Sequence, residues 1–226
     1  MSPDSSTFEQ LSEFADPKRV ARIDDVLAKR TGNLRILLEN ITNEHNISAV
    51  IRSADAFGIQ HVYFIGAELS LCKGITMGSD RWLSYYYYST IEEAVSELHQ
   101  NNFKIAVLQP EEYQSPSGTL KSVTIFDLPY EDNLVLAFGN EKSGISPTLA
   151  GLADWHAFIP MVGFVDSLNI SVAAAIAMFC SMFSNAKQER RVQPIRAQEQ
   201  ETLRKQWLTT GIRNSKAILK ELTRRQ

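Results

Sequence analysis

Ile159-Pro-Met-Val-Gly-Phe-Val-Asp-Ser-Leu-Asn-Ile-Ser-Val-Ala-Ala-Ala-Ile-Ala-Met-Phe179 is the stretch whose reading decides the fold. A short apolar strand reaches Pro160, and Pro160 with Gly163 punctuates a loop. Ser167 or Asn169 can cap the helix that follows by accepting a hydrogen bond from an orphaned backbone N–H. That helix is apolar almost all round and carries small residues at Ser171, Ala173, Ala174, Ala175 and Ala177. The lack of a polar face predicts a buried helix, and the small positions allow another backbone to approach closely. The loop leading into it presents free N–H groups and is therefore a candidate ligand loop.

Upstream of this unit, strands alternate with helices. Leu34–Glu39, His61–Ile65, Tyr85–Tyr88, Phe103–Leu108, Asn133–Phe138 and Trp155–Pro160 read as strands. Helices are expected over 17–30, from about 47 to 57, over 91–100 and from about 170. On the second of these, Ile47, Val50, Ile51 and Ala54 follow the spacing of a core face, which places Ser48, Arg52 and Asp55 on the other side. Strand–helix alternation implies an α/β domain with a mostly parallel sheet. Three loops follow strands in such a sheet, Asn40–Arg52, Gly139–Ser146 and Ile159–Asn169, and ligands gather where such loops converge. Residues 1–16 read as a polar leader. Beyond Glu189 the composition shifts, Pro194 interrupts the chain, and two charged amphipathic helices are expected over 195–208 and 212–225.

The chain has 226 residues and a 44% apolar share, enough for one ordinary domain with a real core plus extensions. Its two cysteines, Cys72 and Cys180, have neither disulfide-framework nor zinc spacing, which fits a reducing cytoplasm. No metal is expected, because the four histidines stand scattered. The longest apolar run falls short of the roughly 18 residues of a membrane span, so no membrane partner is expected. Net charge is −3, yet its distribution is uneven. Residues 187–226 hold eleven Lys and Arg against four Glu, and residues 17–35 hold six against two Asp. Basic ends around an acidic middle point to a polyanionic partner, although solvated helix faces would give the same count.

Dinucleotide, P-loop, zinc-protease and nucleophile-elbow motifs are absent. Three other stretches are specific together. His45-Asn46-Ile-Ser-Ala-Val-Ile-Arg52-Ser-Ala-Asp, Phe138-Gly139-Asn-Glu141-Lys-Ser-Gly144-Ile, and Ile159-Pro-Met-Val-Gly163 with Ser167-Leu-Asn169-Ile-Ser resemble the three motifs of the SpoU/TrmH family of RNA 2′-O-ribose methyltransferases. They stand in family order over residues 34–185. The basic helices at both ends further resemble the family's tRNA guanosine-2′-O branch. The resemblance implies a SPOUT-type parallel sheet flanked by helices, with a C-terminal trefoil knot and helical extensions. It divides the chain into an N-terminal extension (1–33), a methyltransferase domain (34–187) and a C-terminal extension (188–226). It also implies S-adenosylmethionine as methyl donor, no metal, a homodimer whose sites draw on both chains, and tRNA as substrate at guanosine 18 of the D-loop. Other members act on ribosomal RNA or other tRNA positions. A non-catalytic RNA-binding knot is a further reading, and a generic α/β hydrolase a distant one.

By the same resemblance, Leu108, Gly139, Ile159, Met161 and Leu168 surround the cofactor. Arg52 is the catalytic residue, Asn46 and Glu141 position it, and Ser167 and Asn169 hold cofactor and target nucleotide. Removing the proton from an ordinary arginine at pH 7 costs roughly 7 kcal/mol. Arg52 is therefore expected to stay charged, grip a phosphate and stabilise a developing alkoxide, with a phosphate oxygen or water taking the proton. Simpler roles exist for each residue. Arg52 can be a solvated partner of Asp55, Asn46 and Asn169 can be helix caps, Glu141 can be a turn residue, and Tyr85–Tyr88 can be strand and core. For phosphate contact the candidates are Arg19, Arg22, Lys29 and Arg30 in front, Arg81 beside Trp82, and Arg190, Arg191 and Arg196 behind; such contacts give affinity but little sequence choice.

Overall fold

The computed structural model describes residues 5–66, 78–111, 122–130, 132–183 and 192–224. The chain divides into two compact units, one formed by residues 31–193 and the other by residues 1–30 together with 194–226.

The larger unit is built on strands β1 (Thr31–Glu39), β2 (Ile59–Ile65), β3 (Ser84–Tyr88), β4 (Lys104–Leu108), β5 (Ser122–Thr124), β6 (Leu134–Phe138) and β7 (Trp155–Phe158). They lie side by side in the order β3-β2-β1-β6-β4-β7-β5, and the ladders between neighbours are all parallel. Alternation along the strands supplies a core on each face. Leu34, Ile36 and Leu38 of β1 join Val62, Phe64, Leu134 and Leu136 on one face, under helices α3 (Glu44–Ala56) and α6 (Ile170–Met182). Leu37, Tyr63, Val107, Val135 and Ala137 form the other, under α4 (Ile91–Gln100) and α5 (Pro147–Leu152). On this second face Arg35 is carried inside on ring faces, with its guanidinium carbon 3.8 Å from the Phe103 centroid. It also donates a hydrogen bond to the Tyr63 hydroxyl. Tyr63 stacks on Tyr86 at 4.5 Å, and burial pushes its phenol well above the usual tyrosine range. Tyr85–Tyr88 is strand, as its composition predicts.

Two expectations about helix faces change here. Ser48 is fully buried rather than lying with Arg52, because its small side chain lets α3 sit close to its neighbours. Helix α6 is buried along Ile170, Ala174, Ala177, Met178, Ser181 and Met182, whereas Val172 and Phe179 are exposed by 46% and 54%.

In the smaller unit, residues 5–12 of the expected polar leader form helix α1, with Thr7 and Leu11 fully buried. Helix α2 (Pro17–Leu27) starts at Asp16, whose side chain accepts from the Lys18 N–H at 2.9 Å, and has Pro17 at its first position. Helices α7 (Ala197–Gly211) and α8 (Ser215–Arg224) complete the unit. Helix α1 packs on α7 and α8, and α2 on α7. Arg204 of α7 ties three helices by donating to Asp24 at 2.6 Å and to Glu9 at 3.0 Å. The hydrogen bond to Asp24 raises the Arg204 pKa above the ordinary arginine value.

Candidate active site

The three motif loops meet at the carboxyl ends of β1, β6, β4 and β7. Glu39 ends β1, and its Oε2 accepts the Ser146 N–H at 2.9 Å. The next residue, Asn40, takes a positive φ of 50°, and its carbonyl accepts from Asn140 Nδ2 at 2.7 Å. The chain then enters α3, capped by Asn43, whose side chain accepts from the His45 and Asn46 N–H groups.

The turn after β6 is set by its own sequence. Asn140 and Gly144 exchange two backbone hydrogen bonds at 2.9 and 3.0 Å. Asn140 Oδ1 accepts the Lys142 and Ser143 N–H groups, and Gly144 closes the turn at φ +68°. The turn folds back so tightly that a Cβ on Gly139 would lie 2.3 Å from the Gly144 carbonyl and the Ile145 nitrogen. The third loop ends at Asn169, the N-cap of α6, which accepts the Ser171 N–H at 2.8 Å.

Side chains then join the loops. Asn46 Nδ2 donates to Glu141 Oε1 at 2.9 Å, and Asn169 Nδ2 donates to Asn46 Oδ1 at 3.2 Å. One bond path thus runs through residues 95 and 123 positions distant from Asn46. Asn46 is no helix cap, since Asn43 has that role; Asn169 caps α6 and reaches Asn46 as well.

Beside this path lies a cleft of about 650 Å³, a usual size for a small-molecule site. Leu108, Gly139, Ile159, Met161 and Leu168 line it, together with Glu141, Ser167 and Asn169. The same wall includes Gln109, Lys142 and Asp166, which carry no signal in the sequence, and Asn140. For Asn140 a signal existed, because asparagine two and three residues ahead of free N–H groups is a turn signature.

Arg52 stands apart. It is exposed on α3, about 9 Å further along the axis than Asn46 and about 120° round it. Among the described residues its side chain forms no ion pair or hydrogen bond, so the Asp55 pairing is not made. Arg81 and Arg196 are exposed. Arg22 and Lys29 are exposed and share Asp25, which lowers the Asp25 pKa chiefly through the Lys29 hydrogen bond. Arg19 donates to the Gly211 carbonyl at 2.6 Å. Arg30 must be corrected as a phosphate ligand: it is fully buried, its guanidinium 5.1 Å from the Trp207 ring centroid, since a planar cation stacks on an aromatic face. Arg190 and Arg191 lie outside the described residues. Among the described residues, no group of His, Cys, Asp and Glu has the arrangement to hold a metal ion, and no helix is long and apolar enough to cross a membrane.

A parallel sheet with three motif loops converging on one backbone-walled cleft defines an RNA methylase of the SpoU class, and the chain belongs to that family: the SpoU rRNA Methylase family model matches residues 33–179. A tRNA (guanosine(18)-2'-O)-methyltransferase of Aquifex aeolicus is 34% identical over 165 residues, covering 72% of this chain and 74% of that protein. The Escherichia coli enzyme of the same name is 32% identical over 166 residues, covering 73% and 69%. The crystal structure of the A. aeolicus TrmH/SpoU tRNA modifying enzyme superposes with a TM-score of 0.75 at 30% identity, covering 87% of this chain and 98% of that one. The Streptomyces viridochromogenes SpoU methyltransferase AviRb, solved with AdoMet, shares the fold at a TM-score of 0.59 and 24% identity, over 70% and 62% of the two chains.

Proposed function

We propose that the protein transfers a methyl group from S-adenosylmethionine to a ribose 2′-hydroxyl of tRNA, at guanosine 18 of the D-loop. The observation that carries this reading is the Asn46–Glu141–Asn169 bond path beside a cleft walled by the motif loops. The names of the relatives in A. aeolicus and E. coli support the substrate.

The cleft suits the methyl donor. Leu108, Ile159 and Leu168 offer apolar walls for a purine, and the tight backbone turn between Gly139 and Ile145 forms another side of the cleft. Bound there, S-adenosylmethionine supplies an electrophilic methyl on a sulfonium. A ribose hydroxyl is a poor nucleophile until its proton leaves. Arg52, kept charged, holds a phosphate beside the ribose and stabilises the oxygen as negative charge develops, while the proton passes to a phosphate oxygen or water. Asn46 and Glu141 fix the loop, and Ser167 and Asn169 orient cofactor and nucleotide. Arg22, Lys29, Arg81 and Arg196 hold RNA phosphates. We propose too that the C-terminal part of the methyltransferase domain forms a trefoil knot, that the protein works in the cytoplasm, and that it is a homodimer. The exposed apolar residues Val162, Phe164, Val172 and Phe179 support the dimer.

Incubation with labelled S-adenosylmethionine and unmodified tRNA transcripts, followed by nucleoside analysis, tests the reading. The expected product is 2′-O-methylguanosine at position 18; label elsewhere, or none, overturns it. Arg52→Ala is expected to lower methyl transfer by about 10² or more, while titration calorimetry finds S-adenosylmethionine affinity within about three-fold of wild type. Unchanged transfer overturns the role of Arg52.

A further inference from the structure

We infer that Glu39 is a positioning residue for methyl transfer, holding the turn after β6 where it walls the cleft; this rests on the methyl-transfer reading and adds a residue to it. Glu39 closes β1 and shares a face of the sheet with Arg35 and Leu37, by the alternation of the strand. Its partner in register is Ile65 of β2, and Leu37, Ile65, Ile145 and Leu149 belong to the apolar core of that face. The Glu39 side chain is buried, with 1% of the residue exposed. Its Oε2 accepts the Ser146 N–H at 2.9 Å, whereas Oε1 is buried with no hydrogen-bond partner. Among the described residues, no cation pairs with it.

Such a side chain is a poor way to build a core. A buried acceptor left unsatisfied costs free energy, and a hydrophobe of similar volume commonly serves a fold as well or better. What Glu39 offers that leucine does not is an acceptor for the Ser146 N–H, so the use of that one bond accounts for the residue.

Ser146 stands at the far foot of the turn. At the near foot, the carbonyl of the next residue after Glu39, Asn40, accepts from Asn140 Nδ2 at 2.7 Å. Two consecutive residues at the end of β1 thus grip the turn at Asn140 and at Ser146. Between the grips lie Glu141, which accepts from Asn46 Nδ2, and residues 140–145, which line the cleft. Asn140 and Gly144 are joined by their own two backbone bonds, so the turn keeps its shape without Glu39. What Glu39 sets is where that ready-made turn sits against β1 and, through Glu141, against α3. A misplacement of about 1 Å is enough to slow a reaction by about 10².

The test compares full-length Glu39→Leu, which removes the acceptor, with Glu39→Gln, which keeps both length and acceptor. Hydrogen-exchange mass spectrometry reads the turn directly. In Glu39→Leu the peptide covering 140–146 is expected to exchange about ten-fold faster, with peptides from β1, β2 and β6 unchanged. The melting temperature should be equal to or above wild type, the opposite of losing a structural contact. Calorimetry should find S-adenosylmethionine affinity lower by about ten-fold, and kcat at saturating cofactor should fall by about ten-fold or more. Glu39→Gln should bring exchange, affinity and kcat back to within about three-fold of wild type. Unchanged exchange in the turn of Glu39→Leu overturns the inference, as does wild-type cofactor affinity in a variant whose turn has loosened. Faster exchange in turn and strands together, or a lowered melting temperature, also overturns it by making Glu39 a support of the fold. Wild-type protein that binds no S-adenosylmethionine overturns the methyl-transfer reading itself and leaves the exchange result standing.

Discussion

At the scale of single residues, the cleft depends on positions where one atom more would not fit. Gly139 is the sharpest, because the turn it opens returns to within 2.3 Å of where its Cβ would lie, against backbone that cannot rotate away. Gly139→Ala is expected to destabilise the protein by about 1–3 kcal/mol and to weaken S-adenosylmethionine binding more than ten-fold by calorimetry. Gly151→Ala, where an added Cβ meets nothing within 4 Å, should be neutral or slightly stabilising; equal behaviour of the two variants refutes the argument. The identities of Gly139, Asn46, Glu141 and Asn169 were legible as motif residues. Their bonds were not, because a side chain such as Asn46 looks like any helix cap until elements 95 and 123 residues away arrive beside it. Arg30 failed for a different reason: charge in a sequence reads as exposure, and only the placement of Trp207 shows a guanidinium stacked inside.

Among the elements, periodicity located the helices and strands well wherever a run was long. Helix α1 escaped because two buried residues in eight, Thr7 and Leu11, give too little period to read. For α6 the apolar pattern was sound but the conclusion was too strong, since an all-apolar helix can bury one face in its own core and leave Val172 and Phe179 outside. Helix α3 shows what a start signal does for chemistry. Asn43 caps it and so fixes the first turn, from which Asn46 reaches Glu141 and Asn169. Asn43→Ala should lower stability by about 1 kcal/mol in thermal unfolding and reduce kcat at an S-adenosylmethionine affinity close to wild type. Asn43→Asp, which keeps the acceptor, should restore both. A variant that loses stability while keeping full kcat would show that the cap serves the fold alone.

For the whole molecule, the position of Arg52 and the exposed apolar residues are two halves of one problem. Within a chain the arginine lies round the helix from the Asn46 path and without a partner among the described residues. On the same chain Val162 and Phe164 are fully exposed, and Phe179, exposed by 54%, lies between Phe57, edge to face at 6.2 Å, and Phe183, tilted at 5.4 Å. In the homodimer proposed above, a second copy seated on these rings would cover them, and an Arg52 close to the two-fold axis would serve the partner's cleft. Phe179→Lys should therefore give monomers by light scattering at micromolar concentration, with methyl transfer lost. The origin of the arginine is then decided by mixing two full-length variants, each silent alone. Arg52→Ala keeps an intact cleft, and Glu141→Ala keeps an intact arginine. If each cleft takes its arginine from the partner, subunit exchange at equal amounts makes half of the dimers mixed, each with one working site, and about a quarter of wild-type activity returns. If each chain serves its own cleft, no mixed dimer holds a complete site and the mixture stays silent.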